Sequence, residues 1–200
     1  MKNTICFFVL LILVSCKTTK SSLQDNTAIY VVLLAGQSNM AGAGNYDEID
    51  DVIKKRIEKA SNRVSLVFNG RTLKPLSWYK NKPTKKYNFT KRFGPELLLG
   101  LTLAEKYPNK KFLLIKRSQG GTALYGAWNP NWTAEKAKAV EKPKKQNLQL
   151  YSKHLEDIKK SLASIKEQNK TYKIFGLLWM QGENDAAIEI SATTYKENLK

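Results

Sequence analysis

The chain has 200 residues, of which 42% are hydrophobic and 26% charged, and these values are ordinary for a single globular domain. Its formal net charge of +17 arises from 34 Lys and Arg against 17 Asp and Glu. Two lysine-rich runs, 80–86 and 136–145, follow no nucleic-acid-binding motif. We therefore interpret them as solvated surface and expect no nucleic-acid partner, with attraction to another anionic partner as the alternative.

The first residues have the pattern of an export signal. Lys2 precedes the apolar run 7–14, which is too short to span a bilayer. Leu13-Val14-Ser15-Cys16 resembles a lipobox, which implies cleavage before Cys16 and lipidation of its thiol. We expect an exported protein anchored by lipid to a bacterial membrane, in the periplasm or at the cell surface. The alternative is a plain secretory signal with an accidental cysteine.

Three regions follow from this pattern: a signal peptide over 1–15, a flexible tether over 16–27 and a folded domain over 28–200. The tether is polar and rich in Ser, Thr and Lys. The only two cysteines are Cys6 and Cys16. Because the first leaves with the signal and the second would be lipidated, the domain has no disulfide, thiol nucleophile or cysteine metal site.

The domain alternates apolar strands with amphipathic helices. In chain order the pattern predicts a strand at 28–35, a helix at 50–60, a strand at 63–68 with a turn at Asn69-Gly70, a helix at 95–107, a strand at 111–115, an exposed loop at 134–145, a helix at 147–168, a strand at 173–179 and a helix starting at 191. This order predicts an α/β fold, a three-layer α/β/α sandwich with a mainly parallel sheet.

Particular apolar side chains should face the core. The three main strands should be fully buried, as in a parallel sheet. In the two longest helices the inward residues are expected to be Leu97, Leu98, Leu101 and Ala104, and then Leu148, Tyr151, Leu155, Ile158, Leu162 and Ile165.

Three strands end in polar, glycine-containing segments. These are 36–42 (GQSNMAG), 117–124 (RSQGGTAL, with Trp128 following) and 179–185 (WMQGEND). Ligands of open α/β sheets bind at the carboxyl ends of the strands, so the three segments can converge on one site.

The first segment offers a nucleophile. Ser38 follows a buried strand at a Gly-flanked turn, a setting that exposes a hydroxyl and holds it rigidly for attack once a base removes its proton. Nearby glycines let backbone N–H groups approach an oxyanion, and a Gln amide can add another donor. The alternative for Ser38 is a helix N-cap, and for Gly120-Gly121 a simple turn.

Together with Phe93-Gly94-Pro95-Glu96-Leu97, the three segments resemble the motif blocks of the sialate O-acetylesterase-like SGNH hydrolases, also called carbohydrate esterase family six. The resemblance covers about 29–185, and four motifs occur in the family's order. It implies hydrolysis of acetyl esters on carbohydrates such as acetylxylan or O-acetyl sialic acid, with no metal and no cofactor.

The resemblance also implies roles for individual residues. Ser38 would be the nucleophile and its N–H the first oxyanion donor, Gly120 or Gly121 the second, and the Gln181 amide the third. Four further residues would bind substrate or hold the pocket loops, namely Gln37, Asn39, Glu183 and Asp185. For Glu183 and Asp185, capping of the following helix is an equal alternative.

One part of the family pattern is missing. The base of the family lies in an Asp-x-x-His motif, which this sequence lacks. Its only histidine, His154, precedes the third segment, and we expect it to be an ordinary helix-surface residue. The last predicted helix has no stop signal, so we expect a fragment or truncated product without the last C-terminal elements. The alternative function is a non-catalytic, surface-anchored glycan-binding protein.

Overall fold

The structure is a computed structural model that describes residues 28–200. The predicted signal peptide (1–15), the lipidated Cys16 and the tether (16–27) lie outside the described residues. Within 28–200, no helix combines the length and apolarity needed to cross a bilayer.

The described chain contains eight strands and six α-helices. The strands are β1 (Ile29–Gly36), β2 (Gly44–Asn45), β3 (Val64–Phe68), β4 (Lys74–Pro75), β5 (Tyr79–Lys80), β6 (Lys91–Phe93), β7 (Lys111–Ser118) and β8 (Tyr172–Met180). The helices are α1 (Ser38–Ala41), α2 (Asp51–Ser61), α3 (Pro95–Lys106), α4 (Ala134–Val140), α5 (Leu150–Glu167) and α6 (Glu189–Asn198). Every strand and helix predicted from the sequence is present, with boundaries shifted by a few residues.

The main sheet has the order β4-β3-β7-β1-β8. Strands β3, β7, β1 and β8 are parallel, and only the short β4 runs antiparallel to its neighbour β3. Strand β1 lies between β7 and β8, which explains why its sequence is almost continuously apolar. A second, antiparallel sheet of three short strands has the order β2-β6-β5.

Helices cover both faces of the main sheet. On one face, Val32 and Leu34 of β1 pack in a core that includes Ile57 of α2 and Leu97 of α3. On the other face, Val31 packs with residues of β7 and α5. The predicted three-layer α/β/α architecture with a mainly parallel sheet is therefore confirmed.

The prediction of an exposed loop at 134–145 is wrong. Residues 134–140 form α4, and Thr133 caps it by accepting a hydrogen bond from the Lys136 N–H at 3.2 Å. Ala137 and Val140 are buried, so a short apolar stripe attaches the helix to the domain. Alanine and lysine both favour helix, and this propensity outweighs the single proline that follows at Pro143.

The inward faces of two helices differ in part from the prediction. In α3, Leu98 is exposed and Leu103 is buried in its place. In α5, Tyr151 and Leu155 are exposed, whereas Leu150 and His154 are buried. The buried stripe of α5 starts at Leu150 and continues at intervals of three or four residues. It therefore lies about one residue away from the predicted stripe.

The rotation of α5 also corrects the prediction for His154. Its side chain is 7% exposed and packs edge-on against Trp128, with ring centroids 6.3 Å apart. Neither ring nitrogen has a hydrogen-bond partner in the described chain. Burial, assisted by the positive charge of Arg117, lowers the pKa of His154 to about 4. His154 is therefore a neutral core residue near neutral pH.

This burial predicts a loss of stability in mild acid. The imidazole ionises at its ordinary pKa of 6.5 when the chain unfolds and at about 4 when it is folded, so the unfolded state binds more protons as pH falls below 6.5. Between pH 7 and pH 5 this group should cost about 2 kcal/mol of unfolding free energy. Urea titrations at both pH values should show that difference in the wild type and lose it in His154→Leu. An identical pH effect in both proteins would contradict the assignment.

Strand β8 was predicted to be fully buried, and this is wrong. In the described chain it pairs only with β1 and forms an edge of the main sheet. Ile174, Phe175 and Leu177 are 52%, 40% and 59% exposed. An edge strand with apolar side chains on both faces is unusual for a surface and marks a place where another element can pack.

Candidate active site

The three polar segments converge as predicted, because their strands are neighbours. Gly36 at the end of β1 is in register with Ser118 of β7 and Met180 of β8. Past the strand ends, the Gln37 N–H donates to the Met180 carbonyl at 3.0 Å, and the Gln119 N–H donates to the Gly36 carbonyl at 3.2 Å. Backbone hydrogen bonds therefore join the first segment to the other two.

The turn that presents Ser38 depends on Gly36. Its φ is +157°, and a Cβ at this position would overlap the Met180 carbonyl. The chain then buries Gln37 and starts the short helix α1 at Ser38, whose side chain is exposed. A serine held rigidly between a buried strand and a helix, with its hydroxyl accessible, has the placement that a nucleophile needs.

Backbone donors with no partner lie around Ser38. The N–H groups of Ser38, Gly120 and Gly121 make no hydrogen bond to any residue within 28–200. Gly120 packs directly on the serine, since a Cβ built on it would lie 3.4 Å from the Cβ of Ser38. Free N–H groups beside an exposed hydroxyl form a suitable environment for the oxyanion of acyl transfer.

Gln181 is not one of these unpaired donors. Its amide nitrogen donates to the Thr122 carbonyl at 3.2 Å and to the carboxylate of Asp185. Both amide hydrogens are thus used within the chain, and the structure does not bring them to Ser38. The contact with a carboxylate requires the nitrogen and not the oxygen on that side. In this arrangement Gln181 joins the second segment to the third.

Asp185 connects the same two segments from a buried position. Its carboxylate is 1% exposed and accepts hydrogen bonds from the N–H groups of Leu124 at 2.8 Å and Tyr125 at 3.3 Å. It also accepts from Gln181 and from the Ser191 hydroxyl. All of these contacts lie within the chain, so the geometry places Asp185 as a holder of the loop that follows Gly121 and as an anchor for α6.

Replacing Asp185 should therefore destabilise the domain. Asp185→Ala would leave the N–H groups of Leu124 and Tyr125, one amide hydrogen of Gln181 and the Ser191 hydroxyl without an acceptor, and we expect a loss of about 3 kcal/mol of unfolding free energy. Urea denaturation measures it, with the exposed Glu189→Ala as the matched acidic control, which should change little. A loss in Asp185→Ala no larger than in the control would contradict this role.

The remaining three predicted residues occupy different positions. Asn39 and Glu183 are exposed, and the Asn39 amide donates to the Glu183 carboxylate, which links the first segment to the third next to Ser38. Gln37 is 3% exposed, and its amide oxygen has no partner in the described chain. Asn39 and Glu183 are thus accessible to a substrate at Ser38, whereas Gln37 lies beneath the site.

A buried polar network holds the other end of α1. The Lys116 ammonium contacts the Glu96 carboxylate, with both side chains fully buried, and lies 3.3 Å from the Ala41 carbonyl. The Tyr79 hydroxyl donates to the same carbonyl at 2.7 Å, and Arg92 donates to that of Gly42. The helix that carries Ser38 is therefore fixed through its last carbonyl groups.

The pKa values in this network follow from its burial. Burial lowers the pKa of Lys116, against the opposing attraction of Glu96. Burial, followed by the negative charge of Glu96, raises the pKa of Tyr79 to about 12, so its hydroxyl stays a donor. From the sequence, Glu96 was recognised only as part of a motif, and Lys116 was not recognised at all. A lysine inside the apolar run FLLIKRS of β7 was the available signal.

Within residues 28–200, no histidine hydrogen-bonds to Ser38. The sequence has one histidine, His154, which is buried against Trp128 and has its pKa lowered to about 4. Residues 28–200 also contain no cluster of three or more His, Cys, Asp or Glu side chains suited to a metal ion. The site as described thus consists of an exposed serine hydroxyl and backbone N–H groups without partners.

Comparison with known proteins identifies a matching family. Residues 28–200 match the SASA family, described as carbohydrate esterase, sialic acid-specific acetylesterase. The chain belongs to this family. The match covers every residue that the structure describes, including all three strand-end segments of the SASA domain. Comparison with curated protein sequences gives no match.

Solved structures share the fold of this SASA domain. A protein from Arabidopsis thaliana aligns with a TM-score of 0.54 at 17% identity, covering 86% of this chain and 65% of that one. NanS aligns with a TM-score of 0.52 at 16% identity, covering 86% of this chain and 59% of NanS. The chain thus spans less than two thirds of either structure.

Proposed function

We propose that the protein is a serine esterase that removes acetyl groups from carbohydrates, with Ser38 as the nucleophile. The observation that carries the proposal is the exposed Ser38 hydroxyl beside free N–H groups of Ser38, Gly120 and Gly121. Membership of the SASA family supports an acetyl ester of a sugar as substrate. Acetylxylan and O-acetyl sialic acid are the two substrate types to test.

The proposed reaction has two steps. The Ser38 oxygen attacks the acetyl carbonyl while a base takes its proton, and the negative charge on the carbonyl oxygen is met by the free N–H groups. The sugar oxygen leaves with that proton and Ser38 carries an acetyl group. Water then attacks the acetyl-serine, which releases acetate and restores the hydroxyl.

No base is assigned to Ser38 within residues 28–200, because His154 is buried and the sequence has no other histidine.

Acetate release tests the esterase proposal itself. The intact protein should release acetate from acetylxylan or from O-acetyl sialic acid and hydrolyse a chromogenic acetyl ester. Preference for one of the two sugars over the other identifies the substrate. Equal rates for the wild type and Ser38→Ala would remove Ser38 from the mechanism.

The missing base favours one second candidate, a non-catalytic glycan-binding protein. Asn39 and Glu183 remain accessible beside the site, and both can hydrogen-bond sugar hydroxyls. This candidate predicts that the protein binds acetylated glycans in calorimetry without releasing acetate, and that Glu183→Ala weakens the binding. Release of acetate by the intact protein would exclude it.

We further propose that Cys16 carries a lipid and anchors the protein to a bacterial membrane. The support is the sequence Leu13-Val14-Ser15-Cys16 after an apolar run. Expression with a radiolabelled fatty acid should label the wild type. In detergent phase partitioning, the labelled protein should be recovered in the detergent phase. Cys16→Ser should remain unlabelled and processed differently. Equal labelling of the two would refute the anchor.

A further inference from the structure

The loop that carries Gly120 and Gly121 is held from behind by one lysine. The Lys145 ammonium donates to the carbonyl of Gly120 at 2.6 Å and to that of Gly121 at 3.0 Å. Both acceptors belong to consecutive residues of the loop that packs against Ser38. No other side chain within residues 28–200 donates to either carbonyl.

Because a peptide group is planar, a contact that holds its carbonyl also fixes the direction of its N–H group. The Gly120 carbonyl and the Gly121 N–H belong to the same trans peptide and point in opposite directions. Because Lys145 binds the carbonyl, the N–H of Gly121 points away from the ammonium and has no partner in the described chain. The positive charge at the carbonyl end also polarises this peptide and strengthens its N–H as a donor.

The glycine at position 121 leaves room for the Lys145 ammonium. Gly121 has φ of +62°, which disfavours a side chain, and a Cβ on it would lie 2.7 Å from the Lys145 ammonium. Further along, the Glu141 carboxylate accepts the N–H of Ala123 at 2.7 Å and that of Ala127 at 3.1 Å. The segment that follows α4 therefore holds the loop through one cation and one carboxylate.

We propose that Lys145 is a positioning residue that fixes the Gly120–Gly121 peptide as an oxyanion donor opposite Ser38. The inference rests on the proposed esterase function. It assigns a role to one member of a lysine-rich run that otherwise resembles solvated surface. Lys145 acts through the peptide and does not itself touch the reacting atoms.

The test compares Lys145→Met with Lys144→Met, which removes the same charge from the exposed neighbouring residue. In the intact protein, Lys145→Met should lower kcat about 10- to 100-fold. Complete loss of an oxyanion donor costs about 10²- to 10³-fold in kcat, and a misplaced donor should cost part of that. Its KM should stay within about twofold, because the ground-state ester gains little from the oxyanion donor. Lys144→Met should match the wild type. Equal kcat values for the two variants would overturn the proposal.

Hydrogen exchange of residues 119–124 gives a readout that does not depend on turnover. Exchange of this segment should become at least about tenfold faster in Lys145→Met than in Lys144→Met, because the loop loses two hydrogen bonds. Unchanged exchange would overturn the positioning role. A protein whose wild type shows no Ser38-dependent turnover would instead refute the esterase function, and the exchange result would still decide whether Lys145 fixes the loop.

Discussion

Ser38→Ala is expected to lower kcat for an acetyl ester on the order of 10⁴- to 10⁶-fold in the intact protein, because removing the nucleophile of a catalytic triad has costs of this size. Substrate affinity should change little, since the free N–H groups around the site remain. The side chain of Ser38 is exposed and makes no hydrogen bond to the described residues. Its loss should therefore leave the melting temperature almost unchanged.

The control for this variant is Ser164→Ala. Ser164 is an exposed serine on α5, so its substitution should alter neither turnover nor stability appreciably. Initial rates with a chromogenic acetyl ester measure the effect, after subtraction of spontaneous hydrolysis. A Ser38→Ala protein that retains more than about a tenth of wild-type turnover would be incompatible with nucleophilic catalysis by this residue.

Lys116→Met is expected to be the most destabilising single substitution considered for this domain, at about 3 to 5 kcal/mol. Lys116 and Glu96 are both fully buried, and removing the ammonium would leave the Glu96 carboxylate without its counter-charge. Glu96 would keep only its hydrogen bond from the Gly94 N–H at 3.0 Å. The helix carrying Ser38 would also lose a contact at the Ala41 carbonyl.

A double variant distinguishes the charge effect from lost packing. In Glu96→Gln/Lys116→Met neither charge of this pair remains, so we expect the double variant to be more stable than Lys116→Met alone by about 1 kcal/mol or more. Lys54→Met is the control, because the Lys54 ammonium contacts Asp51 and the Asp47 carbonyl at the surface, and an exposed ion pair of this kind is worth about 0 to 1 kcal/mol. Urea denaturation measures all three. A Lys116→Met protein as stable as the control would contradict the account of the network.

The sequence predicted the parts of the fold that depend on local pattern. The apolar run of β1 and the periodicity of α2 and α3 were sufficient to place these elements, and the α/β order gave the layers. The predictions failed where the exposure of a strand or helix depends on which elements pack beside it. Strand β8 resembles β1 in sequence, yet its position in the sheet exposes it, and sequence alone does not state sheet order.

The candidate site was partly predictable for a similar reason. Motifs placed Ser38 and the Gly120-Gly121 pair at strand ends, and parallel strand order brought them together. The partners of long side chains were not predictable. Lys145 lies 25 residues beyond Gly120 in a lysine-rich run, and only the path of the chain shows which lysine reaches the loop.

Covalent capture of Ser38 tests the central claim most directly. A fluorophosphonate reacts with an activated serine at an oxyanion site and stays attached, so its mass marks the nucleophile. After incubation of the intact protein, mass spectrometry of the peptides should find the adduct on Ser38, in a ratio near one per chain, and none in Ser38→Ala. An adduct on another residue, or none on the wild type while it hydrolyses the acetyl ester, would contradict the assignment of Ser38.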